Sequence, residues 1–240
     1  MGTAKKLNRK LAVGHVFQFA PAVRKIKSLL KAKAIGKVFH ISSTRINLAP
    51  PDSEIDVIWD LGPHDFSIIL HLLEEIPWKI SSARRSYPFN KSETAKSAHL
   101  KKESPEITNN AHIDLEFKSG ITAHIHLGWL SSNKMRLMQI FGSEGTLVYD
   151  EMLALDGKLK LYGKGIDNRL KAKDTDTVKL GYQAGEIQVL PLEQHEPLRM
   201  ECEAFIDSIT KNTPLINSGD IGLEVVRLLE TSSESFKHTL

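Results

Sequence analysis

The sequence predicts an α+β fold, a mostly antiparallel, open-faced sheet with helices packed on one face. Three observations predict it. Across residues 79–161 apolar side chains recur with period two, broken by turn signals at Lys118-Ser119-Gly120, Ser131-Ser132-Asn133, Ser143-Glu144-Gly145 and Asp156-Gly157. Helical periodicity is confined to the segments before and after this run, and strands in series flanked by helices bury their apolar faces in that layering. No Gly-x-Gly-x-x-Gly joins a strand to a helix, so a parallel dinucleotide-binding unit is not written in the chain. The nearest match, Gly163 and Gly165 followed by Asn168, lacks the third glycine and reads as a turn.

Each element follows from local chemistry. Residues 11–19 read as a short buried strand, because apolar residues fill both parities around one polar pair. Pro21 suits the first turn of a helix, with Val23, Ile26, Leu29 and Leu30 at helical spacing and Gly36 as its end. Residues 38–48 alternate as a strand, and Ala49-Pro50-Pro51-Asp52 forces a loop. Residues 55–73 are helical, with Gly62-Pro63 an internal interruption. After the strands, 197–211 is a helix with Leu198, Phe205 and Ile206 facing inward, and 220–236 another with Leu223, Val226 and Leu229. Cys202, beside Phe205, reads as a small core residue. Residues 92–106 and 164–185 are polar and read as mobile loops.

Composition bounds the function. The 240 residues fit one large domain or two small ones, and 41% hydrophobic with 25% charged residues excludes wholesale disorder and fibrous repeats. No apolar run approaches the ~20 residues of a membrane span, and the basic start lacks the apolar stretch of a signal peptide. One cysteine excludes an internal disulfide and every multi-cysteine metal motif, so a cytoplasmic location is expected. The net charge of +3 hides an asymmetry: residues 1–51 carry eleven basic side chains and no acidic one, leaving 21 basic against 29 acidic beyond them. Such a positive pole suits nucleic acid, a phosphorylated small molecule or an acidic partner, or is a solvated lysine face. Only Phe17, Phe19 and Phe39 lie within it, which argues against stacking on unpaired bases.

The segment from Trp59 to Ser67 carries the chemistry. At ~100° per residue, Asp60, His64, Ser67 and His71 share one narrow polar stripe on an otherwise apolar helix. A carboxylate four residues from an imidazole can fix its tautomer and raise its basicity, which suits a general base near neutral pH. The same pair also reads as an aspartate cap and a histidine satisfying buried backbone, and spacing alone favours that reading.

The chain resembles the C-terminal part of the Gfo/Idh/MocA family of NAD(P)-dependent sugar and cyclitol dehydrogenases, especially members acting on nucleotide-linked sugars. The resemblance is carried in order by Val13-Gly14-His15-Val16-Phe17-Gln18-Phe19-Ala20-Pro21, Ile35-Gly36-Lys37-Val38, Arg45, Asp60-Leu61-Gly62-Pro63-His64-Asp65, Gly120, Trp129, the run from Phe141 to Thr146, and Glu196-Pro197-Leu198. It implies acid-base roles for Asp60 and His64 at a sugar hydroxyl, and substrate contacts from His15, Gln18 and Arg45. Gln18 stands where the family usually has arginine, and the Glu-Lys-Pro segment with its catalytic lysine is absent. The resemblance therefore implies residues 1–33 as a remnant strand and helix following a missing dinucleotide-binding domain, and 34–240 as a substrate-binding and oligomerisation domain. NAD or NADP would come through a Rossmann-domain partner, not from this chain, and the ligand would be a sugar or sugar nucleotide. A non-catalytic assembly or sugar-binding module is the alternative.

A second constellation lies in the strands. If Lys118-Ser119-Gly120 is a three-residue hairpin loop, Asp114 lies opposite His124 and His112 opposite His126, with Glu116 on the same face. These groups could hold zinc, or form a polar face meeting solvent or a second subunit. The flat face lacks a closing ligand direction, and resemblance to a family that pairs through its open sheet favours a homo-oligomer.

Overall fold

The structure is a computed structural model describing residues 2–48, 55–87, 107–166 and 182–234. The elements are α1 (Gly2–Lys6), a 3-10 turn (Val16–Phe19), α2 (Pro21–Lys31), β1 (Val38–Leu48), α3 (Val57–Leu73), β2 (Lys79–Arg85), β3 (Asn110–Glu116), β4 (Thr122–Gly128), β5 (Leu130–Gly142), β6 (Gly145–Asp150), β7 (Leu159–Ile166), β8 (Tyr182–Val189), α4 (Pro197–Thr210) and α5 (Gly219–Glu234). One eight-stranded sheet has the order β2-β3-β4-β1-β5-β6-β7-β8. Every neighbouring pair is antiparallel except β1 with β4. The fold is α+β, with β1 at the centre.

Alternation decides the two faces. Ile41, Ile113, Ile125, Ile140 and Leu147 are fully buried beneath Ile58, Phe66 and Ile69 of α3. The opposite parity carries His40, His112, His124 and His126 on the open face. The β3–β4 hairpin pairs Asp114 with His124 and His112 with His126, and Gly120 takes the positive φ of +83° that its loop demands.

Long-range pairing changed several local readings. Residues 11–19 do not form a strand. Ala12 makes an isolated bridge to Ser218, Val13 exchanges hydrogen bonds with Asn217, and Val16–Phe19 turns into a 3-10 helix. The segment before α5 thus satisfies backbone groups that a strand would have paired. Helix α2 stops at Lys31, before Gly36, because Lys33 adopts φ +55° and Ala34 N–H bonds back to the Leu29 carbonyl. Helix α3 runs unbroken through Gly62 and Pro63 and is capped by Asp56, whose carboxylate accepts from the amides of Ile58 and Trp59.

Ser131-Ser132-Asn133 is no turn between strands but a bulge inside β5, where Ile46 and Leu48 of β1 pair with Met135 and Leu130. The polar 164–185 stretch contributes the end of β7 and the start of β8. Its centre, residues 49–54 and residues 92–106 lie outside the described residues.

The last two helices face otherwise than their spacing predicts. Leu198 and Ile206 of α4 are 55% and 56% exposed, and Cys202 is exposed rather than core. On α5 the buried residues include Gly222, Val225, Leu228 and Leu229, while Leu223 and Val226 face outward. Gly222 lies against Val13, where a β-carbon would collide with its side chain.

His71, near the end of α3, is held down to about 4 by burial and then by the nearby Lys27 ammonium. The unfolded chain therefore binds a proton that the folded one refuses, so stability falls as pH drops from about 6.5 towards 4. The full span is about 3 kcal/mol at most, reduced by solvent screening of a partly exposed ring. Urea unfolding at pH 7 and pH 5 should show this loss, and His71→Gln should flatten it.

Candidate functional site

The site forms where the first turns of α3 meet the 3-10 turn and the ends of β1 and β5. Asp60 is exposed at the rim, and its carboxylate accepts the Trp129 indole N–H at 3.1 Å. His64, one turn further on, is half-buried with its ring edge-on to Phe17, centroids 4.8 Å apart. No hydrogen bond joins Asp60 to His64 among the described residues. Burial lowers the His64 imidazole below its ordinary range, the Arg45 guanidinium lowers it further, and Asp65 and Asp60 oppose the shift. The ring is thus neutral near pH 7 and able to accept a proton.

Arg45 shares the inward parity of Ile41 and Ser43 and is 3% exposed. Its Nε donates to Asp65 at 2.7 Å, and Ser43 Oγ donates to the other Asp65 oxygen at 2.6 Å. Arg136 of β5 lies directly opposite Arg45, and two facing cations would repel. Glu151 resolves this by accepting from Arg45 Nη1 at 3.3 Å and Arg136 Nη1 at 3.0 Å. Burial opposes the Arg45 charge, but Asp65 and Glu151 outweigh it and hold the guanidinium above its ordinary value. Its Cζ stacks over the Phe17 ring at 5.0 Å.

His15 is 7% exposed, and its imidazole is lowered by burial and by His64. Gln18 is fully buried and donates from Nε2 to the Ser67 carbonyl. His15 Nε2 and Gln18 Oε1 are buried without a hydrogen-bond partner among the described residues. Sequence reasoning brought His15, Phe17, Arg45, Asp60 and His64 to notice, and the fold places them around one end of α3. It gave Asp65 no role and missed Glu151 and Arg136. A readable signal existed for this network: Arg45 at the parity of buried Ile41 requires an inward counter-charge.

On the open face, His124 pairs with Asp114 at 2.8 Å and His126 with Asn110 at 2.9 Å. The His112 and His126 rings stack 4.3 Å apart, planes at 12°, so they present faces rather than converging lone pairs. Among the described residues no group of three or more ligand-type side chains could hold a metal ion.

A nicotinamide dinucleotide needs free helix N-terminal amides beside a glycine turn. Among the described elements only α3 and α4 follow a strand, and neither connection contains a glycine. Gly142 approaches Ile35 so closely that no space for a phosphate remains there. The described residues therefore do not fit this cofactor.

In comparisons with known proteins, the chain is similar to UDP-N-acetylglucosamine 3-dehydrogenase GnnA from Acidithiobacillus ferrooxidans at 19% identity and TM-score 0.73, over 98% of this chain and 64% of that one. It is similar to aldose-aldose oxidoreductase from Caulobacter crescentus complexed with glycerol at 16% identity and TM-score 0.73, with coverage of 98% and 64%. An oxidoreductase from Agrobacterium radiobacter in complex with NAD+, L-tartaric acid and magnesium matches at 16% identity and TM-score 0.70, over 98% and 65%. The chain thus spans less than two thirds of each of these structures, and the likeness is one of fold. No curated protein sequence matches. No described helix is long and apolar enough to cross a membrane. A family model for the GFO/IDH/MocA C-terminal domain matches residues 23–148, just over half of the chain. Together with the open, mostly antiparallel sheet, that match means the chain belongs to the GFO/IDH/MocA C-terminal domain family.

Proposed function

We propose that this chain is the substrate-binding and oligomerisation part of a cytoplasmic NAD(P)-dependent sugar or sugar-nucleotide dehydrogenase, inactive without a cofactor-binding partner. The observation that carries the reading is a neutral, half-buried His64 among His15, Arg45 and Phe17, with Asp60 at the rim. In this reading the His64 imidazole accepts the proton of a sugar hydroxyl. Asp60 stabilises the resulting charge, and His15, Gln18 and Arg45 line the substrate side. The unpaired His15 Nε2 and Gln18 Oε1 support that role, because a buried polar atom without a partner is costly unless a ligand satisfies it. No hydride step is assigned to these residues. Residues 1–33 are read as the segment that follows a dinucleotide-binding domain, and 34–240 as the domain that binds substrate and pairs.

A Rossmann-bearing partner is supported by the outer face of α4. There Leu198, Ile206 and Ile209 are 55%, 56% and 60% exposed, an apolar stripe larger than scattered surface residues explain. Pairing of two copies through the open sheet face is supported by half-buried Leu137, Phe141 and Val148 beside the histidines. Sedimentation at micromolar concentration should show at least a dimer.

The test has two arms. Titration of the chain alone with NADH, followed by fluorescence, should show no micromolar binding. Co-expression with a dinucleotide-binding domain of the family should give turnover on a UDP-sugar or an aldose. In that assembly Asp60→Asn and His64→Ala should each lower kcat by about 10²-fold. Unchanged rates would remove the acid-base roles of Asp60 and His64, and no turnover in the assembly would leave the alternative, a sugar-binding or assembly module without chemistry.

A further inference from the structure

We propose that Asp65 is a positioning residue for His64, acting through the Arg45 guanidinium and the Phe17 ring rather than by direct contact. This deepens the acid-base reading of His64 and rests on it. The geometry is a continuous chain of contacts. Asp65 is 1% exposed and holds Arg45 Nε at 2.7 Å, while Ser43 Oγ at 2.6 Å fixes the carboxylate itself. A guanidinium held at Nε is planar and cannot swing away, so its position over Phe17, 5.0 Å from the centroid, is set by that bond. Phe17 in turn presents its ring to His64 at 4.8 Å with planes at 67°, the edge-on arrangement that aromatic quadrupoles favour.

Nothing closer orients the imidazole. Among the described residues no hydrogen bond reaches the His64 ring nitrogens, and the Asp60 carboxylate is occupied by Trp129. The ring's orientation is therefore a packing property, and Phe17 is the aromatic partner that packs on it. The titratable and charged groups facing His64 are His15 just before the 3-10 turn, Arg45 from β1, Arg136 from β5, and Asp60 and Asp65 from its own helix. Burial first, and then Arg45 and Arg136, hold the imidazole in its proton-accepting form at neutral pH, against the opposing Asp65 and Asp60. Glu151 bridges both arginines, so the cationic side cannot drift without breaking three ion pairs at once. Buried ion networks are weak evidence for stability, but here Arg45 is held by two carboxylates, while Arg136 Nε is buried without a hydrogen-bond partner among the described residues.

The experiment is a pH titration of the imidazole carbon-bound protons by NMR, on the chain alone, with His195 as an exposed reference ring. Phe17→Leu leaves every ion pair intact. It should shift the His64 ring resonances through loss of the neighbouring ring current, and move the titration midpoint, without moving His195. Asp65→Asn should lower the His64 midpoint further, since the carboxylate that raises it is gone and Arg45 keeps only the Glu151 it shares with Arg136. Paired removal in Arg45→Met with Asp65→Leu, which keeps the charge balance if the single variant does not fold, should raise it. A purely structural role would disturb many resonances together or none selectively. If His64 keeps its wild-type shifts and midpoint in Phe17→Leu and in the paired variant, the proposal is wrong. Because no turnover is read, that outcome is separate from failure of the dehydrogenase reading, which the reconstituted enzyme decides.

Discussion

Asp65→Ala is expected to destabilise the chain by about 3–5 kcal/mol, the usual cost of leaving a buried charge without its partner. The side chains of Arg45 and Asp65 are 4% and 1% exposed, so water cannot replace the lost carboxylate. Arg45 would keep Glu151, but Glu151 is shared with Arg136, leaving two cations on one carboxylate. Ser43 Oγ would also lose its acceptor. Since a domain's whole stability is only about 5–15 kcal/mol, the expected result is a chain partly unfolded at 37 °C. Urea unfolding at pH 7 measures it. The paired variant Arg45→Met with Asp65→Leu should recover most of the loss, because it removes both charges and leaves Glu151 and Arg136 matched. If the single alanine variant is as stable as wild type, the pair does not hold the end of the sheet to α3.

Gly142→Ala is expected to cost about 3 kcal/mol, at the upper end of what overpacking usually does. A β-carbon there would lie 2.1 Å from the Ile35 carbonyl oxygen and 2.9 Å from the Ile35 β-carbon. Backbone cannot step aside as a flexible side chain can. The same carbonyl accepts the Glu144 amide at 3.0 Å, and Ser143 bonds both ways with Lys37. A shift of Ile35 would therefore break the seam between the turn after α2 and the β5–β6 hairpin. Gly157→Ala, whose nearest neighbour is 3.8 Å away, is the matched control and should be nearly neutral. Thermal unfolding of the two variants side by side gives the answer. These contacts set Ile35-Gly36 against the Phe141 to Thr146 run, two of the stretches that carry the resemblance.

Local chemistry decided a good part of this protein. The alternation over 38–48 appears as β1 at Val38–Leu48, because a half-buried strand cannot shift by one residue without turning its apolar set to water. The register of the β3–β4 hairpin follows from a three-residue loop with glycine at its left-handed position, a constraint confined to a few residues. The polar stripe of α3 follows from helical spacing, and so do Asp60 and His64 as candidates. Arg45 at a buried parity announces that a counter-charge exists.

What spacing cannot say is which of two faces is covered, and by what. Leu198 and Ile206 recur as a core stripe would, yet they are exposed because none of the described residues packs over α4 there. Residues 11–19 have strand composition, but no edge of the sheet accepts them, and the Asn217 segment takes their hydrogen bonds instead. The Asp60 carboxylate goes to Trp129, 69 residues away, and not to the histidine four residues on. Arg45 finds Asp65, Glu151 and Phe17 from three separate elements. Dihedral preferences and periodicity act over a few residues, whereas burial and ion pairing are settled by whichever surfaces the whole chain brings together. So the sequence alone determined β1, the period-two run that follows α3, the β3–β4 register and the acid-base candidates, and only the tertiary structure decided their partners, since the free energy of a buried charge depends on neighbours far away along the chain.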